Sequence, residues 1–317
     1  MAHPFEHLTE LRISHSSMSS FRGCPRKLEF SKFHLITRES DDLPAGSGKA
    51  LHAGYQMYLR TKDKDAAIAA MMLEYPIHLC SDDTNSWSLE SCYNALMTMI
   101  NSRFMMEYEL AKIKCVDGVV REAIEVPFEI RIKGFSLDDT REIPVIYTGF
   151  IDAILYSYLD NSYHELDIKT HHRNLKDMNG IYRFDDQCLP YAFVLDTVIG
   201  KHSNNLSVKY LSVFVDIVNA TAQLYEFNRP HNEIEDWARG LMVDLQTIKM
   251  YYQLGWFRRQ GNNCMNFNRL CGYFRICQSR NIDNIRNFLK LTFNNLNTGK
   301  QRPIPEPWVV VDLEMAA

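Results

Sequence analysis

From about residue 120 to residue 230 the chain alternates apolar and polar positions with a period of two, the mark of half-buried strands. "REAIEVPFEIRI", "IPVIYTGFIDAILYSY" and "SYHELDIKT" read as three strands, with "DDTRE" and "LDNS" as the turns between them. "SVKYLSVFVDIV" and "AQLYEFN" read as two more. Upstream the spacing changes to three and four: Met71, Met72 and Tyr75, then Tyr93, Leu96, Met97, Ile100 and Phe104, mark helices across 63–112. Methionines at that spacing belong to a core. A serine-capped helix is predicted over 14–33 and a second over 45–60. Asp186 is placed to cap a helix running through "QCLPYAFVLDTVIG", and a further helix spans about 232–254.

Period two also sorts the polar residues. In the strand "YHELDIKT", Glu165, Asp167 and Lys169 share one face, while Leu166 and Ile168 point to the other. Asp152, in "GFIDAIL", has apolar neighbours on both faces, where a carboxylate is costly unless an ionic partner meets it. The next strand carries Asp167 and Lys169, so a hairpin brings the two aspartates together. Paired carboxylates repel unless a divalent cation sits between them. A lysine on the same face would then hold an attacking water and the developing negative charge. The same residues also fit a buried Asp–Lys salt bridge with no metal. The dipeptide Gly48-Lys49 invites a phosphate-loop reading and fails it, because Leu43 stands where that loop needs glycine and Ala50 where it needs Ser or Thr.

Composition narrows the class. With 46% hydrophobic residues the chain can bury a core, and no window approaches the 18 or so apolar residues of a membrane span. The start has no apolar signal-type run, so a soluble protein of the cytoplasm is expected, in a bacterium, an archaeon or a phage-infected cell, with no membrane partner. Eight cysteines in a reducing compartment are buried thiols or metal ligands rather than disulfides. The net charge of −4 argues against coating nucleic acid by bulk charge. Residues 258–302 nevertheless hold nine Lys/Arg against one acid, Asp283, which makes a candidate phosphate-binding surface.

The order Gly-x-x-Asp at Asp152, then Asp-x-Lys-Thr at Asp167, resembles the PD-(D/E)XK nuclease superfamily. His52 in "GKALHAG" and Gln187 with Tyr191 in "DQCLPYAFVL" resemble its RecB/AddB-type branch, which includes the CRISPR-adaptation nucleases and carries a histidine on an early helix and Gln-x-x-x-Tyr after the lysine strand. Residues i and i+4 share a helical face, so Gln187 and Tyr191 can look at one site. The cysteines extend the likeness to the iron–sulfur members. Cys24 lies in "FRGCPRKLEF", and Cys264, Cys271 and Cys277 lie in "NNCMNFNRLCGYFRIC". The six residues between Cys264 and Cys271 depart from the family's commoner two. Taken alone, three such cysteines could be buried filler; with Cys24 in its motif they read as ligands of a [4Fe–4S] cluster or of a structural zinc. Cys80, Cys92, Cys115 and Cys188 read as core.

The resemblance implies an α/β, restriction-endonuclease-like core, a mixed central sheet flanked by helices, with a helical insert and an iron–sulfur staple joining the terminal segments. The divisions expected are 1–62, with Cys24 and His52; the insert, 63–118; the nuclease core, 119–230; and 231–317, with the cysteine cluster and basic tail. It also implies metal-dependent DNA hydrolysis, exonucleolytic, on single-stranded or end-containing DNA in recombination, repair or phage DNA processing. His52, Asp152, Asp167 and the backbone carbonyl of Ile168 would hold Mg²⁺ or Mn²⁺, Lys169 would orient the nucleophile, and Gln187 and Tyr191 would position lysine or substrate. Arg26, Lys27, Arg173, Arg258, Arg259 and Arg275 are the candidate DNA contacts. In the tail, Arg258, Arg259, Arg269, Arg275 and Arg280 interleave with Trp256, Phe257, Phe267, Tyr273 and Phe274, a composition that fits a single-strand channel or, equally, core aromatics with solvated arginines. A helicase or recombination protein is the expected partner. The alternative is a non-catalytic nucleic-acid-binding scaffold or an accessory subunit of a helicase–nuclease complex. Glu165 is expected to support Asp167 or to form a salt bridge, with metal binding the lesser alternative, Glu125 to face the site or to be solvated, and His171, His172, Arg173 and Lys176 to lie in a loop, touching phosphate or solvent.

Overall fold

Capping and proline placement set the first helices. In the computed structural model, which describes residues 4–36, 43–79, 87–172, 178–199, 205–216, 218–266, 269–278 and 305–314, Ser14 caps helix α1 (His15–Gly23) through a reciprocal box with Ser17. The predicted 14–33 helix is interrupted at Cys24, which is extended with φ −161°. Pro25 opens α2 (Pro25–Leu28), and a proline drives the residue before it out of the helical region. A π-helical turn, Glu29–Phe33, follows.

The helical stretch after it is shorter than expected. Helices α3 (Leu43–Thr61), α4 (Lys64–Glu74, capped by Asp63) and α5 (Leu89–Asn101, capped by Ser88) give way to short strands β2 (Tyr108–Leu110) and β3 (Lys112–Lys114). The predicted strand from 121 divides at Ala123 into β4 (Val120–Glu122), paired with β3, and β5 (Ile124–Ser136). Next come β6 (Pro144–Ser157), β7 (Ser162–His171), α6 (Met178–Arg183), α7 (Cys188–Ile199), β8 (Asn205–Phe214), β9 (Thr221–Pro230) and α8 (His231–Leu254). Short strands β10 (Met265–Asn266) and β11 (Arg269–Leu270), helix α9 (Phe274–Gln278) and strand β12 (Val309–Glu314) complete the order. Among the described residues no helix is long and apolar enough to cross a membrane.

The chain forms two compact units: a first of Met1–Glu39, Glu129–Gly149 and Asp236–Ala317, and a second of Ser40–Phe128 and Phe150–Glu235. In the second unit β2 and β7 flank β6 antiparallel, β7 runs parallel to β8, and β8 is antiparallel to β9. One face of this mixed sheet, with Ala153, Leu155, Leu166, Ile168, Leu211 and Val213, packs on Leu51, Tyr55, Met71 and Leu96 of α3, α4 and α5. Helices α6 and α7 meet the other face, where Tyr182 stacks on Tyr210 with ring centroids 4.6 Å apart. Gly54 sets the approach of the three helices: a Cβ there would lie 2.9 Å from Met71 Cβ and 3.0 Å from both the Ala67 oxygen and Leu96 Cδ2. Gly48 lies inside α3, 3.2 Å from Thr170 Oγ1 by the same measure, so close packing against the end of β7 accounts for it and no phosphate loop is present.

In the first unit β1 (Leu11–Ile13) pairs parallel with Val145–Tyr147 of β6, and Lys133 on β5 meets Asp312 on β12 at 3.5 Å. An aromatic core of Phe5, Phe33, Tyr252 and Phe257 fills it, with Phe33 and Phe257 rings 4.8 Å apart.

Candidate active site

Strand register creates the centre of the site. Ala153 on β6 lies opposite Leu166 on β7, which puts Asp152 and Asp167 at the next positions of the ladder. There the Asp152 side chain takes over the pairing: its Oδ2 accepts the Ile168 amide at 2.8 Å. Burial pushes the Asp152 carboxyl up to about 7; Glu125 adds to the rise, while the Ile168 amide and Lys169 oppose it. Burial raises Asp167 to about 6, against the pull of Lys169 and with a further push from Asp152. Two neighbouring acids are thus each destabilised as anions.

Lys169 is tied on two sides. Its Nζ lies 2.8 Å from Asp167 Oδ2 and donates to Gln187 Oε1 at 2.6 Å. Burial would lower this ammonium, but attraction to Asp167 outweighs it and the net shift is upward, so the lysine is charged at neutral pH. Gln187 Nε2 donates to Asp167 Oδ1 at 3.3 Å and to the Tyr191 hydroxyl at 3.0 Å. The helix carrying Tyr191 begins at Cys188, and the carboxylate that accepts the Gln187 amide, at 2.9 Å, belongs to Asp185 rather than to the predicted cap Asp186. Gln187 therefore precedes the helix, yet it still reaches Tyr191.

His52, on α3, lies with Nδ1 3.6 Å from Asp152 Oδ2, and its imidazole hydrogen-bonds the Ile168 backbone. Burial lowers its pKa, which keeps it neutral and available as a ligand. Glu125 joins them: one ligand atom each from His52, Glu125 and Asp152 falls within 4.8 Å of the others. Glu125 sits near the start of β5 with φ +48°, a left-handed conformation that a side chain resists. Gln56, one turn after His52, holds its carboxylate at 2.5 Å. Alternation alone left Glu125 equally a solvated residue, and no sequence signal marks its φ. Asp167 stands outside this trio, held by Lys169 and Gln187.

Two other expectations are corrected, a salt bridge at Glu165 and a loop position for His171. Glu165 makes no salt bridge among the described residues; it is fully buried, neither oxygen has a hydrogen-bond partner, and burial with Asp167 and Asp152 nearby raises its pKa well above normal. His171 ends β7 instead of lying in a loop, with Nε2 2.6 Å from the Tyr182 hydroxyl. His172 has its ring 5.9 Å from Trp87. Arg173 and Lys176 lie outside the described residues.

The first unit gathers the cysteines. Cys24 is buried at the α1–α2 break and accepts the Gln260 amide at 3.4 Å. Cys271 donates its amide to the Cys264 carbonyl at 2.8 Å. Burial raises the Cys277 thiol, with Cys24 and Cys264 adding to the rise and Arg26 and Arg259 opposing it, which places these groups within electrostatic reach of one another. Cys92, Cys115 and Cys188 are buried, and Cys80 lies outside the described residues. Arg26 is engaged within the fold, 3.0 Å from Glu29, 3.2 Å from the Phe257 carbonyl and over the Phe30 ring. Lys27 is half-buried, and Arg258 and Arg259 are exposed. Of the two readings of the tail aromatics, Phe257 follows the core one, being fully buried among the aromatic rings, and Tyr273 packs 5.4 Å from Phe30. Phe267, Arg280 and the side chains of Arg269 and Arg275 lie outside the described residues.

A mixed sheet flanked by helices, with an aspartate and an Asp-x-Lys on adjacent antiparallel strands beside a histidine from an earlier helix, defines the restriction-endonuclease-like class. The sequence model of the PD-(D/E)XK nuclease superfamily matches residues 12–278, and the chain belongs to that superfamily of nucleases. No curated protein sequence matches the chain. Among solved structures it is similar to a candidate exonuclease from Eubacterium rectale, with 11% identity, a TM-score of 0.49, and 89% of this chain and 93% of that one covered. It is also similar to SSO0001, with 14% identity, a TM-score of 0.25, and 62% of this chain and 74% of that one covered.

Proposed function

We propose that the protein is a Mg²⁺- or Mn²⁺-dependent deoxyribonuclease that acts as an exonuclease on single-stranded or end-containing DNA. The observation that carries this reading is the pair of neighbouring acids, half-buried Asp152 and buried Asp167, raised to about 7 and about 6 beside a charged lysine. A binding module has no use for mutually repelling carboxylates. The donors fit a hard cation, being carboxylates, one neutral imidazole and a backbone carbonyl. His52, Glu125, Asp152, Asp167 and the Ile168 carbonyl would hold it. When bound, the ion lowers the pKa of a water and offsets charge growing on the phosphate.

The chain's own groups do the rest. Lys169 orients the attacking water and faces the phosphate oxygen that gains charge. Gln187, bonded to both Lys169 and Asp167, fixes the spacing of ammonium and carboxylate, and Tyr191 buttresses Gln187. The ordered likeness to the RecB/AddB-type branch supports a DNA end as substrate and a helicase or recombination protein as partner. The Cys24 and Cys264 thiols, which meet the two sides of the Gln260 backbone, with the Cys271 amide hydrogen-bonded to the Cys264 carbonyl and Cys277 in electrostatic reach, support a [4Fe–4S] cluster, since thiolates suit iron. Exposed Arg258 and Arg259 are the stronger candidates for touching the DNA backbone, and Arg26 the weaker, because its guanidinium is bound internally.

A nuclease assay with Mg²⁺ or Mn²⁺ on 5′- and 3′-labelled single and double strands tests the reading. Wild type releases product from ends, and Lys169→Ala lowers the rate by roughly a hundredfold or more, the scale of a lost electrostatic stabiliser. Equal inertness of both proteins on every substrate would return the chain to the scaffold reading.

A further inference from the structure

Beyond the hydrolytic centre the second unit has a cavity of about 710 Å³ at the far end of α3, a volume in the range of ligand sites. Its walls include Tyr58, Phe104 and Tyr108, with Lys62, Lys64 and Arg103 contributing charge. Tyr55 also lines it, one helical turn beyond His52. Residue 62, just past the end of α3, lies ten residues after residue 52, so Lys62 is about 15 Å along the helix axis from His52, while Lys64 opens α4 and Arg103 follows α5.

The charges are placed against resistance. Lys62 follows α3 with φ +58°, and Arg103 follows α5 with φ +59°. Both are left-handed positions past a helix end, where glycine is favoured and a long side chain is strained. Lys62 Nζ lies 5.7 Å from the centre of the Tyr58 ring, and Lys64 donates to Asn101 Oδ1 at 3.0 Å. Arg103 pairs with no acid among the described residues. Among the lining residues the opposing charge is that of Glu109, whose carboxylate accepts the Tyr158 hydroxyl, with the carbonyl ends of α3 and α5 each equivalent to about half a negative charge; Asp63, between Lys62 and Lys64, is turned to the first amides of α4. Three cations against roughly two negative equivalents leave a surplus of about one positive charge, which matches one phosphodiester. Half-buried aromatic rings beside it suit a base.

We propose that this cavity is a secondary subsite that holds a nucleotide of single-stranded DNA several residues from the bond being cut, through Lys62, Arg103 and the aromatic wall. At the 3.4 Å rise of a stacked strand, 15 Å corresponds to about four nucleotides. The subsite anchors the strand and takes no part in the chemistry. It rests on the deoxyribonuclease reading for its location, but its binding is measured without turnover.

The test uses the full chain and a Lys62→Gly/Arg103→Gly variant, which removes both cations and relaxes both left-handed positions. Fluorescence anisotropy of labelled single-stranded oligonucleotides two to twelve nucleotides long, in EDTA, gives affinity. The variant binds oligonucleotides of eight or more about tenfold more weakly, with a salt slope smaller by about one to two, and binds dinucleotides unchanged. Its thermal midpoint stays equal or rises, because glycine suits both backbones. Hydrolysis of thymidine 5′-(p-nitrophenyl phosphate) with Mn²⁺, too short to reach the cavity, is also unchanged. Superimposable isotherms at all lengths, with or without a fall in the midpoint, would overturn the subsite and leave Lys62 and Arg103 as helix-end cations. A Tyr58→Leu variant keeps the charges, and unchanged affinity there as well would remove the aromatic wall from the proposal. Absence of hydrolysis in wild type would sink the nuclease reading alone, since the anisotropy difference is read without metal.

Discussion

At the scale of single residues, the site is held in states that a cation would relieve. A carboxyl whose folded pKa is raised binds its proton more tightly folded than unfolded, so its contribution to stability is fully present below about pH 4 and is lost as pH rises through the folded value. For Asp167 and Asp152 that loss falls through about 6 and about 7. Metal-free protein therefore loses stability across this window. Mn²⁺, which replaces those protons, raises the thermal midpoint more near pH 8 than near pH 5.5. Equal Mn²⁺ shifts at both values would mean that the acids do not bind it. Glu125 sharpens the test. Because its left-handed backbone and Gln56 aim it at His52 and Asp152, Glu125→Gln weakens Mn²⁺ binding at least tenfold in calorimetry while leaving the circular dichroism unchanged. Period two put Asp167 and Lys169 on one face and hairpin order put Asp152 beside them, while the choice of a metal site over a buried salt bridge came from the resemblance. Glu125 was not legible in this way, because strand alternation carries no information about a φ of +48°.

Elements show the same division between what patterns encode and what contacts decide. Helices α3 and α8 and strands β6 to β9 follow their periodicities closely, since each has one apolar face and one core to meet. The expected 14–33 helix fails at Cys24 for a local reason, the proline that follows it, and that break is what leaves the Cys24 sulfur to accept the Gln260 amide. The insert ends early because Tyr108 and Leu110 pair with β6, a tertiary choice that no local window reveals. Gly54 is likewise silent in sequence. Substituting Gly54→Ala overpacks the α3–α4–α5 contact and costs about 1–3 kcal/mol in urea unfolding, despite the higher helix propensity of alanine. A gain in stability would show that the helices can move apart freely.

For the whole molecule, superfamily membership was readable because five polar residues, His52, Asp152, Asp167, Lys169 and Gln187, occur in order, and each of them meets another of the five: His52 with Asp152, and Lys169 with Asp167 and Gln187. The second four-residue set, the cysteines, is drawn from both ends of the sequence but lies wholly in the first unit. Purified protein is expected to absorb near about 400 nm, and Cys277→Ser to lose that band together with thermal stability; a colourless protein with stoichiometric zinc would replace the iron assignment.

The first unit is assembled from three stretches of chain, Met1–Glu39, Glu129–Gly149 and Asp236–Ala317. During synthesis, at roughly 5–20 residues per second, residues 1–39 leave the ribosome at least about ten seconds before residues 236–317 are made. In the nascent chain Phe5 and Phe33 are without Tyr252 and Phe257 for that whole interval, and Cys24 is without its three distant thiols. A metal that needs all four thiols cannot be taken up until Cys277 has been made, some 253 residues after Cys24.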